Sequence, residues 1–289
     1  MLGNGNVAID VARVLVKTPA EMAATDLPDY AADPIHASPL TDVYMVGRRG
    51  PNEAKYTNVE LREMGHLENC VPQIDAAQLP EEVTGEMSDR DRRVAEKNLA
   101  TVREFVDRKP DEMPKRVHFV YYAQPVEILG GEQVEAVRFE KTEVREGRAV
   151  GLGEFFDIPC GLVVAAIGYT SEPLADTPFD ERGGIVRNED GRVEDGLYAV
   201  GWIKRGPSGV IGTNKPDGKL AAEQIIADHG TGAGKDGRTG LENLLAERGI
   251  RAVSFAEWQK IEAAEITNAR EGAPRKKFVT VDEMLAAIG

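Results

Sequence analysis

Apolar residues near the amino end recur at Val7, Val11, Val14 and Leu15, the three-to-four spacing of a helix face. The short apolar run Val43-Tyr44-Met45-Val46 then reads as a strand, and 57–64 returns to helical spacing. The clearest helix covers 88–107. Ser88 caps it, Asp89 and Asp91 suit its first turn, and Val94, Leu99, Val102, Phe105 and Val106 form its apolar side. Segments 116–122, 125–129 and 134–144, with a Gly130-Gly131 turn, predict an antiparallel meander, and 155–158 adds a fourth strand. Residues 162–168 are continuously apolar, which suits a parallel strand buried on both faces. A second buried strand is predicted at 196–202, opening onto a loop at 203–214. Helices follow at 219–228, 241–248, 255–269 and 281–288, and the Gly-rich stretch 230–240 reads as a flexible connection.

The chain has 289 residues, enough for one large or two ordinary domains, and 42% of them are apolar, enough to build a core. Its 35 Lys and Arg against 49 Asp and Glu leave a net charge of -14. That balance argues against nucleic acid and anionic membrane surfaces as partners, because both demand a basic face. No apolar run is long enough to span a bilayer, and the amino end lacks the charged and apolar regions of a secretory leader. Cys70 and Cys160 lie far apart without a C-x-x-C, so no disulfide framework, dithiol pair or metal site is expected, and both read as buried small hydrophobes. The expectation is a soluble, acidic, cytoplasmic protein.

Candidate chemistry begins at the first residues, where Gly3-Asn4-Gly5-Asn6-Val7-Ala8 fits G-x-G-x-x-A ahead of a helix. Glycines allow a tight turn, and the free N–H groups at a helix start favour a pyrophosphate. Only Met1 and Leu2 stand where a whole buried strand is expected. The next strand ends in Arg48-Arg49 where an NAD site carries a carboxylate, and a guanidinium pair suits the 2'-phosphate of NADP. Pro28, Pro34 and Pro39 mark the connection between the two as turns. Glu60 and Glu63, three apart, share a helix flank; such carboxylates serve either acid–base chemistry or a solvated face. Trp202 opens a basic, glycine-rich loop whose backbone suits an anion or a polar ring edge.

Four stretches, GNGNVAIDVARVL, GRRGP with YTNVELREM, VVAAIGY and LYAVGWIKRGPSGVIGTN, resemble the adrenodoxin reductase type of ferredoxin-NADP reductase, the mycobacterial branch included. The resemblance implies an α/β fold of glutathione reductase-like architecture. Residues 1–167 would be a Rossmann-like NADP-binding domain with its first strand nearly absent, and 168–289 the carboxyl-terminal part of a discontinuous FAD-binding domain. The activity it implies is a flavoprotein oxidoreductase passing hydride from NADPH to FAD and then single electrons to a ferredoxin-type iron–sulfur protein. Carried over by position, Asn4, Gly5, Asn6 and Val7 would hold the NADP pyrophosphate, and Arg48 and Arg49 the 2'-phosphate. Glu60 would contact the nicotinamide side, Glu63 would be the catalytic proton carrier, and Trp202, Gly209, Val210 and Ile211 would line the isoalloxazine. An amino-terminal FAD fingerprint usual in the family has no counterpart, so the chain reads as the carboxyl-terminal two-thirds of such an enzyme. The alternatives are an NADP-binding fragment without flavin or turnover, and an electron-input subunit like the glutamate synthase small subunit. Lys204, Arg205 and the 275–277 cluster are the candidates for docking an acidic partner.

Overall fold

A computed structural model describes residues 1–111, 113–209, 211–230, 232 and 234–289, with Ile211 described by its backbone alone. In chain order the first elements are α1 (Asn6–Val16), α2 (Pro19–Met22), α3 (Asp29–His36), β1 (Asp42–Val46), α4 (Asn58–Glu63), β2 (Cys70–Ile74), α5 (Asp89–Val106) and β3 (Lys115–Val120). The meander follows as β4 (Ala123–Leu129), β5 (Ala136–Arg145) and β6 (Arg148–Pro159). Next come β7 (Phe179–Asp180), β8 (Ile185–Val186), β9 (Arg192–Glu194), β10 (Leu197–Tyr198), α6 (Trp202–Arg205), α7 (Asn214–His229) and α8 (Gly237–Glu247). The chain ends with α9 (Phe255–Thr267) and α10 (Val281–Ala286). Two compact units result, Met1–Ile167 with Phe255–Gly289, and Gly168–Ser254. The last two helices thus pack with the first unit, where a continuous second domain over 168–289 was expected. Lys276 and Lys277 tie them there by ion pairs to Asp29 and Asp26, both at 2.9 Å. No helix among the described residues is long and apolar enough to cross a membrane.

The first unit is built on a parallel sheet of order β1-β3-β2. β2 escaped sequence reading because Pro72 sits in its middle. Proline lacks the N–H of an inner strand but is tolerated at an edge, and β2 is the edge. Likewise α3 contains Pro34 and starts after Pro28, where only turns were expected. Ala8, Ile9, Ala12 and Val16 are the buried positions of α1, so the helix is rotated from the expected Val7, Val11, Val14 face, and Val7 is exposed. On α5 the buried line passes through Ala95, Leu99, Val102 and Phe105, while Val94 faces out. Ser88 accepts the Asp91 N–H at 3.1 Å as its cap.

Both helices share one core with Val43, Met45, Val117 and Phe119 of the sheet. The sheet's Val46 packs in a second core with Ala123, Val137, Phe139 and Ile158 of the meander. Tyr56 and Tyr121, both buried, share a hydroxyl hydrogen bond of 2.6 Å. Asn98 donates to Tyr56 O at 3.1 Å, so this buried polar group is satisfied. Cys70 is buried, which pushes its thiol up to about 12, and Cys160 is half-buried.

Leu2 acts as a one-residue strand between β1 and 164–166. Its N–H donates to Val164 O at 2.9 Å, its carbonyl accepts from Ala166 N–H at 2.8 Å, and Val46 N–H donates to Met1 O at 3.0 Å. The predicted strand 162–168 is therefore only an extended segment paired to Leu2, with Leu162 and Ile167 exposed. The strand predicted at 196–202 shrinks to β10 because Gly201, at φ +67°, breaks the extension and Trp202 opens α6. In this second unit Asp228 of α7 takes two bonds from Arg192, at 2.8 and 3.2 Å, and one from the Tyr198 hydroxyl at 2.7 Å. The Arg192 bond, with Tyr198 second, holds the Asp228 carboxyl down at about 2.

Two outcomes follow from these contacts. Gly3 has φ +127°, and a Cβ there would lie 2.2 Å from Ala166 O. Gly3→Ala is expected to destabilise the first unit by about 2–3 kcal/mol, read as a lowered thermal midpoint. Asp228 stabilises the second unit fully above about pH 4, its unfolded range, and loses that contribution as pH falls toward its folded value. Asp228→Asn should therefore flatten the acid limb of an unfolding-versus-pH profile for that unit, and an unchanged limb would contradict the assignment.

Candidate functional site

The site in the first unit grows from the turn at residues 3–6. Gly5 is the N-cap of α1 and supplies no side-chain cap, the first turn holds no acidic residue, and a Cβ at Gly5 would meet nothing within 4 Å. The first turn of α1 thus carries no side-chain cap at the positive end of its dipole, an arrangement that attracts an anion. Asn4 lies in the notch of Gly47, where the amide orientation that satisfies both neighbours donates to Gly3 O at 3.2 Å and accepts from Gly47 N–H at 3.3 Å. Asn6 Oδ1 accepts the Thr57 N–H at 2.7 Å, and Lys55 N–H donates to Asn4 O at 2.9 Å. These bonds bring the turn, the end of β1 and the start of α4 together. Both asparagine side chains are engaged in tying elements, so what faces outward at the turn is mainly backbone.

Arg48 and Arg49 leave β1 beside this turn. The Arg48 guanidinium is exposed and makes no hydrogen bond or ion pair among the described residues, whereas Arg49 Nη1 reaches Gly147 O at 3.4 Å. The two carboxylates of α4 differ in surroundings. Glu60 has a buried oxygen, Oε2, without a partner. Glu63 is half-exposed and forms an ion pair with Arg13 of α1, which also bonds Asp10 at 3.3 Å. An unsatisfied buried carboxylate oxygen is costly and suits a hydrogen-bond donor brought by a ligand. Arg13 was not singled out in the sequence, where its only signal is the local i,i+3 spacing from Asp10.

The second unit holds its candidate loop by a different device. Asp217, in the first turn of α7, accepts from Lys204 Nζ at 3.2 Å and from the Gly201 N–H at 3.2 Å, and pairs with Arg205. Arg205 also donates to Asn214 Oδ1 at 2.8 Å and to Ser208 O at 3.2 Å. The Lys204 bond above all holds the Asp217 carboxyl below the usual range. Trp202 stacks against Tyr169 with ring centroids 5.9 Å apart. Gly209 has φ +86°, and a Cβ there would lie 2.4 Å from Thr213 Oγ1, so glycine is required. Val210 lies outside the described residues, and of Ile211 only the backbone is given, at the start of a 3-10 turn (Ile211–Thr213). A cleft of about 650 Å³ elsewhere in this unit is lined by Arg192, Tyr198, Asp228 and His229, and the first three are joined along its wall by the bonds already described.

The expected basic docking patch is neutralised. Lys204 and Arg205 are spent on Asp217, Arg275 on Glu262 and Glu265 at 3.3 and 3.5 Å, and Lys276 and Lys277 on Asp29 and Asp26. Sequence proximity shows where charges lie, but not which carboxylates the fold brings to them.

Comparison with known proteins gives a consistent picture. No protein-family model matches the chain. It is 37% identical over 317 residues to the mitochondrial NADPH:adrenodoxin oxidoreductase of Arabidopsis thaliana, covering 99% of this chain and 65% of that protein. It is 36% identical over 301 residues to the NADPH-ferredoxin reductase FprA of Mycobacterium tuberculosis, covering 99% of this chain and 66% of that one. The chain thus spans about two thirds of the length of these curated relatives. A solved structure of Mycobacterium tuberculosis FprA in complex with NADPH superposes with a TM-score of 0.90 at 35% identity, over 100% of this chain and 67% of that one.

Asp217→Asn is expected to release the 201–209 loop. Hydrogen–deuterium exchange should rise there with little change in the first unit, and an unchanged rate would show that Asp217 does not hold it.

Proposed function

The chain belongs to the family of NADPH-dependent adrenodoxin and ferredoxin reductases, and from that premise we propose that it serves electron transfer from NADPH, through FAD, to a ferredoxin-type iron–sulfur protein. The observation that carries the reading is the uncapped α1 start beside the free Arg48 guanidinium, a paired receptor for a pyrophosphate and a 2'-phosphate. The first unit is then the NADP-binding part, and 168–254 contributes to FAD binding. Bound, the two cofactors supply hydride transfer and its conversion to single-electron steps.

This chain's residues bind, orient and handle protons. Backbone N–H groups at Gly5, Asn6 and Val7 receive the pyrophosphate, with Asn4 and Asn6 holding the turn in shape. Arg48 takes the 2'-phosphate, with Arg49 beside it. The unpartnered Glu60 Oε2 accepts from the amide of the nicotinamide side. Glu63, held by Arg13, is placed to carry a proton at its carboxylate. Trp202, Gly209 and the Ile211 backbone suit a planar ring: glycine permits close approach, and N–H donors stabilise charge on a reduced flavin. With its prominent cations paired internally, the chain offers an acidic iron–sulfur partner no ready patch at Lys204, Arg205 or 275–277. A cytoplasmic site of action rests on the acidic composition and the two separated, unpaired cysteines.

Purified chain with the visible absorbance of flavin supports turnover. Colourless chain that still binds NADPH supports the NADP-binding module alone. Arg48→Ala is expected to weaken NADPH by about 2 kcal/mol, roughly thirtyfold, and NADH far less; equal losses in a binding titration would refute the 2'-phosphate site.

A further inference from the structure

The turn carrying Arg48 and Arg49 is gripped by groups distant in sequence. Ala123 N–H donates to Gly47 O at 3.1 Å, Thr142 Oγ1 to Arg48 O at 2.8 Å, and Tyr122 N–H to Arg49 O at 3.2 Å. Three consecutive carbonyls of the turn are thus each bonded from outside it. Thr142 N–H also donates to Tyr122 O at 2.8 Å, which joins two of these donors to each other.

Two features mark this clamp as more than incidental packing. Thr142 is a buried polar residue, only 4% exposed, and it follows a register shift between Glu140 and Thr142 in the β5–β6 pairing. Such a bulge re-aims a side chain, here onto the Arg48 carbonyl. Tyr122 has φ +54°, a left-handed conformation that a bulky side chain rarely adopts. A Cβ at Gly50 would lie 2.2 Å from the Tyr122 hydroxyl, so the ring occupies the space that glycine leaves at the end of the turn. Unfavourable backbone geometry of this kind persists only where the surroundings over-determine it.

We propose that Thr142 and Tyr122 are positioning residues that set the preference for a 2'-phosphate by fixing the turn from which Arg48 projects. The Arg48 guanidinium has no partner of its own among the described residues, so what the structure fixes is the backbone point from which it projects. An arginine on a loose turn still attracts a dianion, but it loses the fixed fork that distinguishes a phosphate from a hydroxyl. The proposal rests on Arg48 and Arg49 being the 2'-phosphate site, and it adds the residues that make that site selective.

The test is calorimetric titration of the full chain with 2',5'-ADP and with 5'-AMP, which differ only in the 2'-phosphate. Thr142→Val keeps the shape and the backbone bond but removes the hydroxyl. It is expected to lose about fivefold in affinity for 2',5'-ADP, the worth of one hydrogen bond, with 5'-AMP unchanged. Thr142→Ser should keep the wild-type ratio. A merely structural role would lower the melting temperature and leave the ratio of the two affinities where it was, and that result overturns the proposal. Gly50→Ala, which pushes on the Tyr122 ring, provides the same reading should the valine variant fail to fold: selective loss of 2',5'-ADP supports the clamp, and an unaltered ratio refutes it. Wild-type chain without preference for 2',5'-ADP overturns the 2'-phosphate site itself and the clamp with it, an outcome distinct from a preference that Thr142→Val leaves intact.

Discussion

Leu2 and Gly3 connect β1 to the 164–166 segment, and the geometry of the first unit's site depends on that connection. Leu2 bonds Val164 and Ala166 on one side, while on the other Met1 O accepts from Val46 N–H and Gly3 N–H donates to Val46 O at 2.8 Å. Because Gly3 leaves Ala166 O the space a Cβ would take, the chain turns at once into Asn4 and Gly5. The start of α1 is thereby brought beside the end of β1, where the two arginines begin. Anion-binding ability is a property of any helix start. Here the helix start and the guanidiniums are placed side by side through the bridge of Leu2 to Val46 and the bond of Gly3 to Val46.

The electrostatics follow a second constraint. In a chain of net charge -14, a cation left beside carboxylates is paired by them, and exposed pairs contribute little to stability. Their effect is to determine which positive charges remain free for a ligand. Lys204, Arg205, Arg275, Lys276 and Lys277 are all paired, and Arg48 has no partner among the described residues. Free positive charge at the end of β1, set against an acidic background, is a more selective signal than the count of basic residues. The carboxylates of α4 differ in the same way: Glu63 is paired with Arg13, and Glu60 Oε2 has no donor among the described residues.

The two units use glycine and a charged hub in complementary ways. Gly3 permits the turn that starts α1, and Gly209, at φ +86°, permits the loop that follows α6. Asp217 plays for the second loop the part that Thr142 and Tyr122 play for the arginine turn: each is a group remote from the motif that fixes its backbone. A binding motif is thus only half of a site, and the other half lies in the elements that hold it.

The sequence by itself determined the fold class, the nucleotide-type turn, the arginine pair and the long helices, because each is a local pattern of three to eighteen residues. Ser88 and Thr280 cap their helices as their positions indicate, with Thr280 accepting from Glu283 N–H at 3.2 Å. Tertiary structure alone decided which face of α1 is buried, that Pro72 sits in an edge strand, and that 162–168 stays largely uncovered. It also decided that α9 and α10 return to the first unit, and which cations remain unpaired. The division has one physical reason. Helix periodicity, caps and glycine turns arise from interactions between near neighbours, whereas burial, sheet order and charge pairing depend on groups separated by tens of residues, such as Thr142 and Arg48, that meet only when the chain is folded.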